Sequence, residues 1–188
     1  MKHTEHKFLF ELESPYVSVG RAEPESSNWI PSFFYSPPGL DVCVRRLRGD
    51  KMRTKQALMD EFAAAFQFFS GFGENYMALQ ECLEDLNESL RADGYVLIVD
   101  RSEELLADEP DALLEALLFR FGLLGEYWSK AIEDDPRFNR AAKPFQVLLH
   151  LSDGTGPTST RRISDAAEAA ASELASGDLA GTLRFLDL

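Results

Sequence analysis

The sequence predicts an α/β fold: a small three-stranded parallel sheet flanked by helices, with an N-terminal arm and a C-terminal helical extension. Three observations predict it. Short apolar runs at residues 42–47, 95–99 and 145–151 have strand length and are rich in Val, Ile, Leu and aromatics. The segments between them carry apolar residues at helical spacing, and helical crossovers join parallel strands. The chain has 188 residues, 45% apolar and 27% charged, which suits one packed domain with appendages.

In chain order, residues 1–40 form an arm holding Trp29, Phe33, Phe34 and Tyr35 among five prolines. Phe8, Phe10 and Leu12 alternate with other residues, and Tyr16-Val17-Ser18-Val19 ends at Gly20, so both read as short strands. The domain proper is expected over residues 41–152. Val42-Cys43-Val44-Arg45-Arg46-Leu47 is its first strand, closed by a turn at Gly49-Asp50. Thr54 is placed to cap a helix on which Leu58, Phe62, Ala65, Phe66 and Phe69 recur. Gly71 and Gly73 break that helix, and another is expected over residues 74–88. Gly94 introduces the second strand, Tyr95-Val96-Leu97-Ile98-Val99, whose unbroken apolar run suits burial on both faces. A short helix at 102–106 and a longer one carrying Leu114, Leu117, Phe121, Leu124, Trp128 and Ala131 follow, the latter interrupted by Gly122 and Gly125. Residues 134–143 read as a polar loop before the third strand. Residues 153–162 read as a linker by composition. In the extension, 163–188, Ser164 is placed to cap an Ala-rich helix, and Leu183 and Phe185 mark a last short strand.

Composition excludes several functions. The net charge is −13, and residues 71–136 hold 17 acids against 4 bases while the rest of the chain is neutral. Such a field repels nucleic acid and anionic lipid and attracts a basic protein. No run approaches the roughly 18 apolar residues of a membrane helix. The apolar stretch Phe8-Leu9-Phe10 is too short for a secretory signal, so the expectation is a cytoplasmic protein. Cys43 and Cys82 form no disulfide framework and have no Cys or His at zinc-ligand spacing. The three histidines lie at a terminus (His3, His6) or close a strand (His150). No catalytic residue, metal site or cofactor is predicted. The basic run Arg45, Arg46, Arg48, Lys51, Arg53, Lys55 reads as an edge balancing nearby acids rather than a phosphate site.

The informative feature is the helix at 74–88. At helical phase Glu74, Met77, Glu81, Glu84, Asp85 and Glu88 fall within about 100° of one another, while Tyr76, Leu79, Leu83 and Leu86 fall opposite. The helix is expected to dock its apolar side and present the carboxylates. These form a helix face rather than a cavity, which argues against an enzyme using them with a divalent cation.

The stretch Phe72-Gly73-Glu74-Asn75-Tyr76-Met77-Ala78-Leu79-Gln80-Glu81-Cys82-Leu83 resembles the signature of the barstar family, intracellular inhibitors of barnase-type ribonucleases. The resemblance covers about residues 41–152. It implies a three-stranded parallel sheet, no catalysis, and a signature helix that plugs a ribonuclease active site with carboxylates in place of substrate phosphate. By position Glu81 matches the family's central inhibitory acid, and Asn75 matches a loop residue that contacts the enzyme. Tyr76 matches an apolar interface position, although helical phase turns it toward the core. Gln80 and Glu84 flank the acid, and Met77 and Asp85 share its face. The chain departs from the family pattern at five positions. Met77 stands for a second acid, Gly71, Gln80 and Leu86 stand for aromatics, and Glu81 is one methylene longer than the usual Asp.

The resemblance therefore implies an immunity protein whose partner is a basic ribonuclease or related nuclease toxin. The alternative is a docking module of the same fold that binds a basic protein, leans on residues 1–40 and inhibits nothing.

Overall fold

The computed structural model describes residues 7–21, 39–133, 139–152, 154–175 and 183–186. The arm's aromatics at 29 and 33–35 lie outside them. Five parallel strands, β1 (Val17–Arg21), β2 (Val42–Arg48), β3 (Gly94–Asp100), β4 (Phe145–Leu151) and β5 (Leu183–Leu186), form one sheet in the order β2-β3-β4-β1-β5. The α/β class and the three expected strands hold, but the sheet has five strands. β1 pairs with β4 from Val17↔Val147 to Arg21↔Leu151, and β5 pairs with β1. Arm and extension thereby cover the β4 edge, whose row of unpaired N–H and C=O groups is the liability of any open sheet.

Among the described residues five α-helices complete the fold: α1 (Lys55–Phe66), α2 (Tyr76–Glu84), α3 (Leu86–Ser89), α4 (Asp111–Ser129) and α5 (Pro157–Ala175). The path β2 to β3 to β4 to β5 always steps the same way across the sheet, so right-handed crossovers stack their helices on one face. There Leu47, Leu97, Val99, Val147 and Leu149 pack with Leu58, Phe62, Leu83, Leu117, Phe121 and Ile163 in one core. On the opposite face Val96, Ile98 and Leu148 pack against Leu9 and Phe10.

Several local expectations are corrected. Lys7–Phe10 is a 3-10 helix, not a strand. Phe8-Leu9-Phe10 is a continuous apolar run with no period of its own, and Leu9 is the buried residue. α5 begins at Pro157, inside the expected linker and ahead of Ser164. Proline suits a first helical position, and the buried stripe Ile163, Ala166, Ala167, Ala170, Leu174 recruits the Ser/Thr-rich turn before it. α4 runs unbroken through Gly122 and Gly125. Gly125 lets Tyr16 pack onto the helix, because a Cβ there would lie 2.1 Å from the Tyr16 Cγ. Gly125→Ala is therefore expected to lower stability by about 1–2 kcal/mol despite alanine's better helix propensity, a fall of about 3–6 °C in Tm. Thermal melts check this, and Tyr16→Ala in the same chain should cancel the added loss.

Candidate functional site

The helix expected over 74–88 is two helices joined at Asp85, and it starts two residues late. Glu74 has a left-handed backbone (φ 46°) that cannot continue into a helix. Asn75 follows as the cap, its Oδ1 accepting from the Met77 and Ala78 N–H groups, both at 3.0 Å. Its Nδ2 donates to the Gly73 carbonyl at 2.9 Å. Gly73 leaves room for this turn, since a Cβ would sit 3.2 Å from both Asn75 Nδ2 and the Ala78 Cβ. Asn75 is therefore a turn-and-cap residue, and its exposed position leaves its outer side open.

The apolar side of α2 docks as its phase demands: Tyr76, Leu79 and Leu83 are buried, as is Leu86 in α3. Polar bonds to α4 fix the docking. The Tyr76 hydroxyl donates to the Leu113 carbonyl at 2.9 Å, and Trp128 Nε1 donates to the Leu83 carbonyl at 3.0 Å. Lys55 and Arg120 each lie 5.9 Å from the Tyr76 ring. Burial pushes the Tyr76 phenol up to about 12. Tyr76 thus holds the helix from the core side. Tyr76→Phe, which keeps the ring and removes the hydroxyl, is expected to cost about 1 kcal/mol, read as a lower denaturant midpoint at unchanged m-value.

On the outer side Glu74, Met77, Glu81, Asp85 and Glu88 are exposed, and Gln80 and Glu84 are half-buried. Gln80 is not a free surface amide. Arg120 Nη1 donates to its Oε1 at 2.8 Å, and its Nε2 donates to Glu84 Oε1 at 2.7 Å. Cys82 sits between the faces, where burial, then Asp85 and Glu81, raise its thiol pKa. Gln56 Nε2 reaches Glu74 at 3.0 Å. None of Glu74, Glu81, Glu84, Asp85 and Glu88 has a cation partner among the described residues.

Arg46, Arg48 and Arg53 of the basic run pair with acids of the fold. Arg46 pairs with Asp100, which also meets His150 Nδ1 at 3.3 Å. Burial pushes the Asp100 carboxyl up, but the hydrogen bonds from His150 and Arg46 outweigh it and leave the pKa lowered. Arg48 forks onto Glu61 at 2.7 and 2.8 Å and lowers that carboxyl too. Arg53 pairs with Glu104 and Asp108, and Arg45 lies 6.0 Å from the Phe66 ring.

Two residues have places that the sequence did not assign them. Arg120 gave no signal, because its link to Gln80 joins helices 40 positions apart. Phe69 was assigned to the buried stripe of α1, but that helix stops at Phe66 with Gln67 in a left-handed cap (φ 53°). Phe69 is 67% exposed instead.

A parallel sheet with its crossover helices on one side, and one helix face of carboxylates without cations among the described residues, defines the class: an α/β protein with an exposed acidic helix face. The family model described as Barstar (barnase inhibitor) matches residues 42–150, and the chain belongs to that family. The match spans β2 to β4 and leaves β1, α5 and β5 outside. No curated protein matches the chain. No helix among the described residues is long and apolar enough to cross a membrane.

Proposed function

We propose that the chain is an inhibitor, an immunity protein that binds a basic ribonuclease and blocks its active site with α2 and the turn before it. One observation carries this reading: among the described residues Glu74, Glu81, Glu84, Asp85 and Glu88 lack cation partners, while Arg46, Arg48 and Arg53 of the neighbouring basic run pair with acids inside the fold. A ribonuclease that binds phosphates must present Arg, Lys or His in its cleft. Carboxylates held on a docked helix satisfy those cations without being cleavable. Glu81, mid-helix and exposed, is the central acid, with Asp85 beside it and Glu84 oriented through Gln80. Asn75 and Met77 meet the rim of the cleft, and Tyr76 acts from behind by holding the helix. Such an inhibitor acts where RNA needs protection, in the cytoplasm of a bacterial producer. The family's own description as a barnase inhibitor supports the reading.

Hydrolysis of RNA by barnase, followed while the chain is added, tests it. Activity should fall to zero at an equimolar ratio and return as salt is raised, because steering between opposite charges is screened. Full activity at a large excess of the chain would contradict inhibition. A second reading, docking without inhibition, draws on Met77, which puts a thioether in the middle of the acid face. It predicts binding that survives Glu81→Lys and is lost when the arm's Trp29, Phe33, Phe34 and Tyr35 are replaced by alanine, which leaves β1 in place.

A further inference from the structure

Among the described residues four large apolar side chains are exposed, and the two most exposed are Phe69 at 67% and Met77 at 65%. Both belong to the stretch that carries the acid face, on either side of the Glu74-Asn75 turn. Phe69 is held outward by its surroundings. The left-handed cap at Gln67 ends α1, and the Phe68 N–H returns to the Ala63 carbonyl at 3.1 Å. Phe68 turns inward, with ring centroids 5.7 Å from Phe66 and 5.0 Å from Phe72. The Phe72 N–H bonds the Phe69 carbonyl at 3.0 Å, which places Phe69 at the head of a turn. Its ring then lies across Gly71, where a Cβ would be 3.0 Å from Cε2. The inward aromatics satisfy the fold, and the outward ring gains it nothing. Met77 is fixed through its backbone by the Asn75 cap.

We propose that Phe69 and Met77 are the apolar anchors of this face, and that the ribonuclease they fit has a ring-stacking base subsite beside its phosphate-binding cations. The proposal rests on the inhibitor reading. Proteins that hold single-stranded nucleic acid pair cations with phosphates and stack bases on flat apolar groups, so a cleft of that kind offers both partners. The carboxylates answer the phosphate cations, and the Phe69 ring answers the base subsite. Met77, with three rotatable bonds and a polarizable sulfur, fits the stems of long cationic side chains whose heads reach Glu81 and Asp85. The two kinds of contact divide the kinetics. Charge sets the association rate and its salt dependence, and the pre-ordered apolar anchors set the dissociation rate.

Surface plasmon resonance with immobilised barnase, at two salt concentrations, tests this on the full chain and on Phe69→Ala, Met77→Ala and Glu81→Gln. Phe69→Ala should speed dissociation by about tenfold or more and Met77→Ala by about threefold, both with the association rate and its salt slope unchanged. Glu81→Gln should slow association and flatten the slope. Unaltered dissociation in both apolar variants, with Glu81→Gln still impaired, would overturn the anchors and leave the inhibitor reading standing. Absence of binding by the unaltered chain would overturn that reading and the anchors with it. Thermal melts unchanged in Phe69→Ala and Met77→Ala confirm that a kinetic loss is not unfolding.

Discussion

Glu81→Lys is expected to abolish ribonuclease binding while leaving the fold intact or slightly more stable. Glu81 is exposed in the middle of α2 among carboxylates that have no cation of their own. The substitution changes the local charge by two and sets an ammonium against the partner's cations. Like charges brought together at an interface, added to the loss of a charge pair, cost at least about 3 kcal/mol, or two decades in Kd. That is the scale of close charge pairs between barnase and barstar, the family's type pair. Within the helix the sign is opposite. Glu81 and Asp85 stand at i,i+4 and repel, whereas a lysine at 81 attracts Asp85 and supports the helix by about 0.3–0.5 kcal/mol. Calorimetric titration and a thermal melt on the same sample separate the effects: heat of binding lost, Tm level or slightly raised. A melt that collapses would mean that Glu81 serves the fold instead.

Arg140→Met is expected to be among the most damaging substitutions to stability outside the apolar core. The Arg140 side chain is buried at the C-terminal end of α4, 9% exposed, with its guanidinium 4.2 Å from the Trp128 ring and 4.6 Å from the Tyr127 ring. It donates to the carbonyls of Tyr127 at 2.7 Å, Lys130 at 2.8 Å and Trp128 at 3.3 Å. The last carbonyls of a helix have no partner within it and carry the negative end of its dipole, so one cation there satisfies several orphans at once. Its backbone also bridges to Ile132 at 2.9 and 3.0 Å, which ties the loop back onto the helix end. Methionine keeps much of the stem and none of the donors. The loss should be about 3 kcal/mol, a fall of roughly 6–12 °C in Tm. Because Arg140 lies behind Trp128, on the core side of α2 and away from its exposed carboxylates, affinity for a ribonuclease should change little at a temperature where the variant is folded. A large affinity loss in folded protein would bring the 131–141 region into the interface.

These residues show what the sequence makes legible. Periodicity is local, so β2, β3, β4, α1 and α4 could be read from residues that are neighbours in the chain. The docked side of α2 could be read the same way, because its phase depends only on spacing. β1 was legible as a strand but not as the partner of β4, since pairing joins Val17 to Val147 across 130 positions. The stop of α1 at Gln67 was hidden because glutamine is not a residue that announces a left-handed cap, and Phe69 was misplaced with it. Asn75 was read as a contact residue, and its capping role emerged only with the left-handed Glu74. Arg140 lay in a stretch that looked merely polar. Its importance comes from where α4 ends in space.

RNA hydrolysis by barnase, titrated with the unaltered chain and with Glu81→Lys at about 50 mM and about 500 mM salt, shows whether the acid face of α2 inhibits. Stoichiometric loss of activity is expected with the unaltered chain at low salt, with partial relief at high salt and full activity with Glu81→Lys in both. Equal inhibition by the two proteins, or none by either, would contradict inhibition by that face.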